Sequence, residues 1–231
     1  MPATEHPEVP SADRCDVSIL IFAASLRDGS LNDRLADLAV TVAREKGAGV
    51  DRARMADFDC PSYDQDVETG DGIPAGAARL RDRLCAADAF LIVSPEYNSS
   101  MPGIVKNTID WTSRFRPQPF NGRQGLLMSA SPSMAGGNRG LWSLRIPLEH
   151  LGARVYPDMF SLSQAHQAFA DDGRLANATL RSRFESTIEC FIDLVEAAKH
   201  YGALKKQWVE YLGEHPDAAI DRVELSTVDA A

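Results

Sequence analysis

Three short stretches carry the side chains best suited to chemistry, and each follows an apolar run. The first is Ala24-Ser25-Leu26-Arg27-Asp28-Gly29-Ser30-Leu31-Asn32, which offers two hydroxyls, an amide, a guanidinium and a flexible glycine. A helix beginning at its end adds unsatisfied backbone N–H groups and a positive field. A phosphate monoester suits such a place, because it is a dianion that needs several donors at once, and Arg27 can add a charge-assisted hydrogen bond. Taken alone, the stretch reads equally well as a capped strand-to-helix turn, where Ser, Gly and Asn are common. The second stretch is SPEYNSSMPG (94–103), continued by IVKNTIDW (104–111). Its prolines stiffen a loop that exposes backbone amides beside the flat ring of Tyr97, an arrangement suited to a planar heteroaromatic ligand with donors and acceptors on its edge. The third, SASPSMAGGNR (129–139), is small and glycine-rich, so a ligand can come close to its backbone.

Other chemistries lack their residues. His6, His150, His166, His200 and His215 form no H-E-x-x-H pair, and the chain contains no G-x-S-x-G elbow, Walker loop or G-x-G-x-x-G. Asp57, Asp59, Asp64, Asp66 and Glu68 are acidic neighbours without EF-hand spacing and read as a polar loop. Neither a metal site nor a catalytic side-chain nucleophile is therefore expected. The four cysteines, Cys15, Cys60, Cys85 and Cys190, are scattered, as in a cytoplasmic protein with reduced thiols. The opening MPATEHPEVPSADR has neither the basic start nor the apolar segment of a signal peptide. No run approaches the roughly 18 apolar residues of a membrane span, so no membrane partner is expected. In 231 residues, 24 Lys+Arg stand against 33 Asp+Glu, a net charge of −9 that argues against a nucleic-acid partner. At 44% hydrophobic and 25% charged, the chain has the balance of a globular protein with one domain or two.

The elements that must position the three stretches alternate in type. Val17–Ala24 is a continuous apolar run, as expected for a strand covered on both faces. Ser30–Lys46 has apolar residues at helical spacing, with Ser30 as N-cap and Gly47 as stop. A weak, charged strand is predicted over Gly49–Met55, a polar loop over Pro61–Pro74, a helix over Ala75–Ala87 and a buried strand over Ala89–Ser94. Helix 102–114, strand 125–131, helix 137–151 with Pro147 as a candidate kink, a short strand over 154–160 and a long helix over 175–200 complete the pattern. Strands alternating with helices are best accommodated by a parallel sheet with helices on both faces, here an α/β, three-layer doubly wound fold with about five strands. Residues 1–16 read as a flexible arm, 17–200 as the ligand-binding domain and 201–231 as an acidic extension. In such a sheet ligands bind beyond the carboxyl ends of the strands, where all three stretches fall.

In combination the three stretches resemble the NADPH-dependent FMN reductase family of flavodoxin-like proteins. PEYNSSMPGIVKNTIDW is similar to that family's P-E-Y-N-x-S-x-P-G-x-L-K-N-x-I-D-W, the first stretch to G-S-x-R-x-x-S-x-N and the third to S-x-G-x-x-G-G-x-R. The resemblance covers about Val17 to Val195 and implies a five-stranded parallel sheet of flavodoxin-like topology. It places the FMN phosphate at Ser25, Arg27, Ser30 and Asn32. The ring and ribityl chain would lie along Pro95, Glu96, Tyr97, Asn98 and Ser99, with Ser131, Gly136 and Gly137 on the other side. It further implies NADPH or NADH as co-substrate, a flavin, quinone or azo-type acceptor, ping-pong turnover and assembly into homodimers or homotetramers. The 102–116 segment, with Trp111, Arg114, Phe115 and Arg116, is the candidate contact surface, and an aromatic beside arginines reads equally well as local packing in the core. Two positions depart from the pattern: Ala24 and Ser133 stand where glycine is usual, and Ala24 is expected to add a methyl in a tightly packed place. A flavodoxin-like electron carrier and a flavin-free interaction or regulatory homologue remain as alternatives.

Overall fold

The computed structural model describes residues 16–212. Strand β1 (Ser18–Ala23) leads into helix α1 (Leu31–Glu45) and edge strand β2 (Gly49–Arg54). A single 3₁₀ turn (Met55–Phe58), helix α2 (Gln65–Asp71) and helix α3 (Ala75–Ala86) lead to β3 (Ala89–Val93). Then come α4 (Gly103–Thr112), β4 (Gln124–Ala130), α5 (Asn138–His150), β5 (Arg154–Val155), β6 (Phe160–Leu162) and α6 (Ala178–Leu212). These strands all pair in parallel and the order is β2-β1-β3-β4-β5, so the order reverses between β1 and β3.

Period-two alternation along the central strands builds the three layers. In β1, Ile19, Ile21 and Ala23 face a core shared with α1 and α6, while Leu20, Phe22 and the following Ala24 face a second core shared with α3, α4 and α5. β3 divides likewise, with Leu91 and Val93 on one side and Phe90 and Ile92 on the other. Burial on both faces explains why these strands are apolar throughout. β2 is charged because it pairs only with β1 and lies at the sheet edge, where Asp51, Arg52 and Arg54 reach solvent.

Three expectations need correction. The polar loop over Pro61–Pro74 contains helix α2, whose N-cap is Asp64, its carboxylate accepting from Asp66 N at 2.8 Å. The single strand expected over 154–160 is two short strands, both paired with β4, so five sheet positions are filled by six strands. Pro157 lies in the gap between them and has no N–H for the ladder. The helix expected over 175–200 is α6, which begins at Ala178 and continues to Leu212. Helix α5 runs through Pro147 as one element. The expected arm at residues 1–15 and the end of the extension, 213–231, lie outside the described residues.

Candidate functional site

The ends of β1, β3 and β4 converge on one cleft of about 220 Å³, lined by Ser25, Arg27, Ser30, Leu31, Asn32, Pro95, Glu96, Tyr97, Ala130, Ser131 and Pro132. This volume is below the roughly 300–1,000 Å³ of closed small-molecule pockets, as suits a ligand that keeps one face in solvent. The cleft sits where strand order reverses, the place that open parallel sheets use for ligands.

The first loop turns tightly into α1. Gly29 takes a left-handed conformation (φ +62°), and Ser30 caps the helix by accepting from Asp33 N at 3.0 Å. Ser25 Oγ accepts from Arg27 N at 3.3 Å. The Arg27 guanidinium is exposed and pairs with no carboxylate among the described residues. Asn32 is buried and holds the fold together: its Nδ2 donates to Ala130 O at 3.0 Å and its Oδ1 accepts from Ala130 N at 2.9 Å, tying the first loop to the end of β4. Ala24 does not obstruct the cleft. It is fully buried in the second core, and its N–H donates to Val93 O at 2.8 Å.

The second loop closes in a four-residue turn. Tyr97 N donates to Ser100 O at 2.9 Å and Ser100 N to Tyr97 O at 3.0 Å, with Asn98 and Ser99 both at positive φ (51° and 63°). This is the mirror-image turn that Asn tolerates well. Tyr97 is 56% exposed and lines the cleft, so its side chain is accessible to a ligand. Asn98 and Ser99 are exposed at the tip and lie outside the cleft lining.

In the third loop, Ser131 Oγ accepts from Ser133 N at 3.2 Å, and its partner hydroxyl Ser133 Oγ lies 3.0 Å away. Ser133, the second departure from the family pattern, thus braces the loop. Gly136 and Gly137 are buried and do not line the cleft. A Cβ on Gly137 would lie 2.0 Å from Ser129 Oγ, and its φ of +84° also disfavours a side chain.

Several positioning residues lie outside the set that the sequence points to as ligand contacts. Asn107 and Trp111 face inward from α4 and clamp the segment after the 3₁₀ turn: Asn107 Nδ2 donates to Pro61 O at 2.9 Å, its Oδ1 accepts from Tyr63 N at 2.8 Å, and Trp111 Nε1 donates to Pro61 O at 2.8 Å. Trp111 is fully buried within its own chain, so of the two readings open to it, interface and local packing, the structure has local packing. Arg114 donates to Glu68 at 2.9 Å, and this bond, with that from Tyr63, holds the Glu68 carboxyl below its usual range. Gly140 and Ser143, on α5, are of the same kind. The buried residues of α4, Val105, Thr108, Ile109, Trp111 and Thr112, follow helical spacing, but two of them are threonines, which blurs the apolar stripe.

Strand order and cleft position define a flavodoxin-like α/β protein with its ligand site at the reversal of strand order. Within that class, the family described as NADPH-dependent FMN reductase matches residues 17–167, more than half of the chain, and the chain belongs to that family. An NAD(P)H-dependent FMN reductase of Pseudomonas aeruginosa is 34% identical over 176 residues, covering 75% of this chain and 92% of the relative. A quinone reductase of Escherichia coli is 37% identical over 140 residues, 60% of this chain and 73% of the relative. Among solved structures, FerB, a flavoenzyme NAD(P)H:(acceptor) oxidoreductase from Paracoccus denitrificans, superposes with a TM-score of 0.69 at 27% identity, covering 79% of this chain and 98% of that one.

Proposed function

We propose that the protein is an NAD(P)H-dependent, FMN-containing oxidoreductase that reduces flavin, quinone or azo-type acceptors. The observation that carries this reading is one cleft that opens onto both the Ser25, Arg27 and Ser30 donor set and the Pro95–Tyr97 rim, in a chain of this family. The donor chemistry fits FMN. Hydroxyls, a guanidinium with no carboxylate partner among the described residues and the start of a 15-residue helix suit a dianion, and no described side chain fills the space. When bound, FMN supplies the redox chemistry, taking a hydride from NAD(P)H and passing reducing equivalents to the acceptor.

The chain's own contribution is to bind and orient. Arg27 and Ser25 hold the phosphate, together with the Ser30 hydroxyl, whose oxygen is used by the helix cap but whose proton can still be donated. Asn32 keeps the first loop in register with β4. Pro95 and Tyr97 shape the surface along the ring. The N–H groups of Asn98 and Ser99, which among the described residues donate to no protein acceptor, are suited to charge that builds on the reduced ring. Steady-state oxidation of NADPH and NADH with FMN and a quinone tests the reading. The expected result is parallel double-reciprocal lines, the mark of ping-pong turnover; no coenzyme oxidation under any combination would defeat it.

We further propose that the protein works in the cytoplasm as a homodimer or homotetramer. Trp142 and Ile146, 55% and 71% exposed on α5, stand beside an apolar groove between α4 and α5 lined by Met101, Ile109, Pro147 and Leu151, which supports a contact surface there in place of Trp111. Sedimentation equilibrium tests this: a monomer at all concentrations would refute it.

A further inference from the structure

Helix α5 has no side-chain cap of its own, because its N-cap is Gly137. The missing acceptor comes from a different loop. Glu96 Oε2 accepts from Gly140 N at 3.1 Å, and Oε1 lies 3.4 Å from Arg139 Nε, with the Glu96 side chain only 13% exposed. Five residues later Met101 N donates to Ser143 Oγ at 2.7 Å, and that hydroxyl donates to Gly140 O at 2.8 Å. The Tyr97–Ser100 turn is therefore held at both ends by the first two turns of α5. Contact is close: a Cβ on Gly140 would lie 3.1 Å from Glu96 Cα and Cβ and 3.2 Å from Ser100 O, so α5 presents bare backbone to the turn.

We propose that Glu96 is a positioning residue of the flavin site: its carboxylate supplies the cap that Gly137 lacks and so fixes the Tyr97–Ser100 turn against α5. The inference rests on the FMN reading above, and adds to the expected place of Glu96 along the ring a role exerted through the turn. An anionic acceptor on first-turn N–H groups is stabilised by the helix field. It also occupies that terminus, which leaves the start of α1 for the phosphate.

Two variants test the proposal in the full chain. Glu96→Gln keeps an oxygen acceptor for Gly140 N; Glu96→Ala does not. With the flavin-free protein, hydrogen exchange at the Tyr97, Ser100 and Gly140 amides is expected to speed up at least about tenfold in Glu96→Ala and to stay near wild type in Glu96→Gln. FMN and riboflavin affinities are expected to fall by the same factor, about tenfold, in Glu96→Ala, because the turn serves the ring and not the phosphate, and to recover in Glu96→Gln. Unchanged exchange in Glu96→Ala, equal losses in both variants, or a loss confined to FMN would overturn the proposal. Faster exchange in Glu96→Ala beside a wild type that binds no flavin would leave the anchor standing and count against the functional reading instead.

Discussion

Replacing Arg27 with Ala isolates the phosphate contact better than any other change in the cleft. Ser30 caps α1 and Asn32 braces β4, so altering either disturbs the fold as well as the ligand. Arg27 has no carboxylate partner among the described residues, and its loss leaves the protein's own bonds intact. A hydrogen bond to a charged group contributes about 1.5–3 kcal/mol net. At 1.36 kcal/mol per tenfold this is about 13-fold to 160-fold in affinity. The guanidinium is exposed and partly screened, which places the expected loss near the lower limit, about tenfold. The assay is titration of FMN followed by its fluorescence, with riboflavin in parallel. Riboflavin has the ring and polyol without the phosphate, so its affinity is expected to be the same in wild type and Arg27→Ala. Raising ionic strength should weaken FMN binding to wild type more than to the variant. Equal losses for both ligands, or no loss for FMN, would refute a phosphate at this loop.

Three further outcomes follow from the packing and charges. Gly137→Ala combines a positive φ with a contact to Ser129 Oγ that cannot be accommodated without movement; a destabilisation of about 2–5 kcal/mol is expected, lowering Tm by at least about 4 °C in a thermal melt, and an unchanged Tm would contradict it. Asp88 is pulled upward by burial, but hydrogen bonds from Ser18 N and Lys199 Nζ outweigh this and hold its carboxyl below the ordinary 3.8. A carboxyl depressed in the folded state stabilises above its unfolded pKa and loses that contribution as pH falls through the folded one. The urea midpoint of wild type should therefore drop more steeply below about pH 4 than that of Asp88→Asn, and parallel curves would be inconsistent with the bonds described. Burial pushes the Cys60 thiol above its ordinary 9.0, whereas Cys85 and Cys190 are exposed. Peptide mapping after iodoacetamide treatment should find Cys85 and Cys190 alkylated before Cys60, and the reverse order would contradict the placement of Cys60.

Residues with an unambiguous local meaning were legible in the sequence. The runs Val17–Ala24 and Ala89–Ser94 could only be buried strands, and Ser30 announced the start of α1 three residues ahead of Asp33. The cleft gathers Ser25, Arg27, Ser30, Asn32, Pro95, Glu96, Tyr97 and Ser131, all expected from their positions at strand ends. What stayed hidden depends on contacts between distant segments. Nothing local to Ala24 shows that its methyl enters the core instead of the cleft. Trp111 beside Arg114 has the composition of an interface, and only the carbonyl of Pro61, fifty residues earlier, turns it inward. The sequence puts Glu96 at the ligand's edge but does not show that Gly140, forty-four residues later, donates to its carboxylate. Short elements escape the sequence for a related reason: α2 depends on the Asp64 cap and has no buried residue, so no hydrophobic period marks it.

Whether FMN occupies the cleft between the first and second loops is decided by a crystal structure grown with saturating FMN. The phosphate is expected within hydrogen-bonding distance of Ser25, Arg27 and the first amides of α1, and the ring along Pro95 and the Tyr97–Ser100 turn. A phosphate seated elsewhere, or a ring that leaves this cleft empty, would overturn the proposed function at its root.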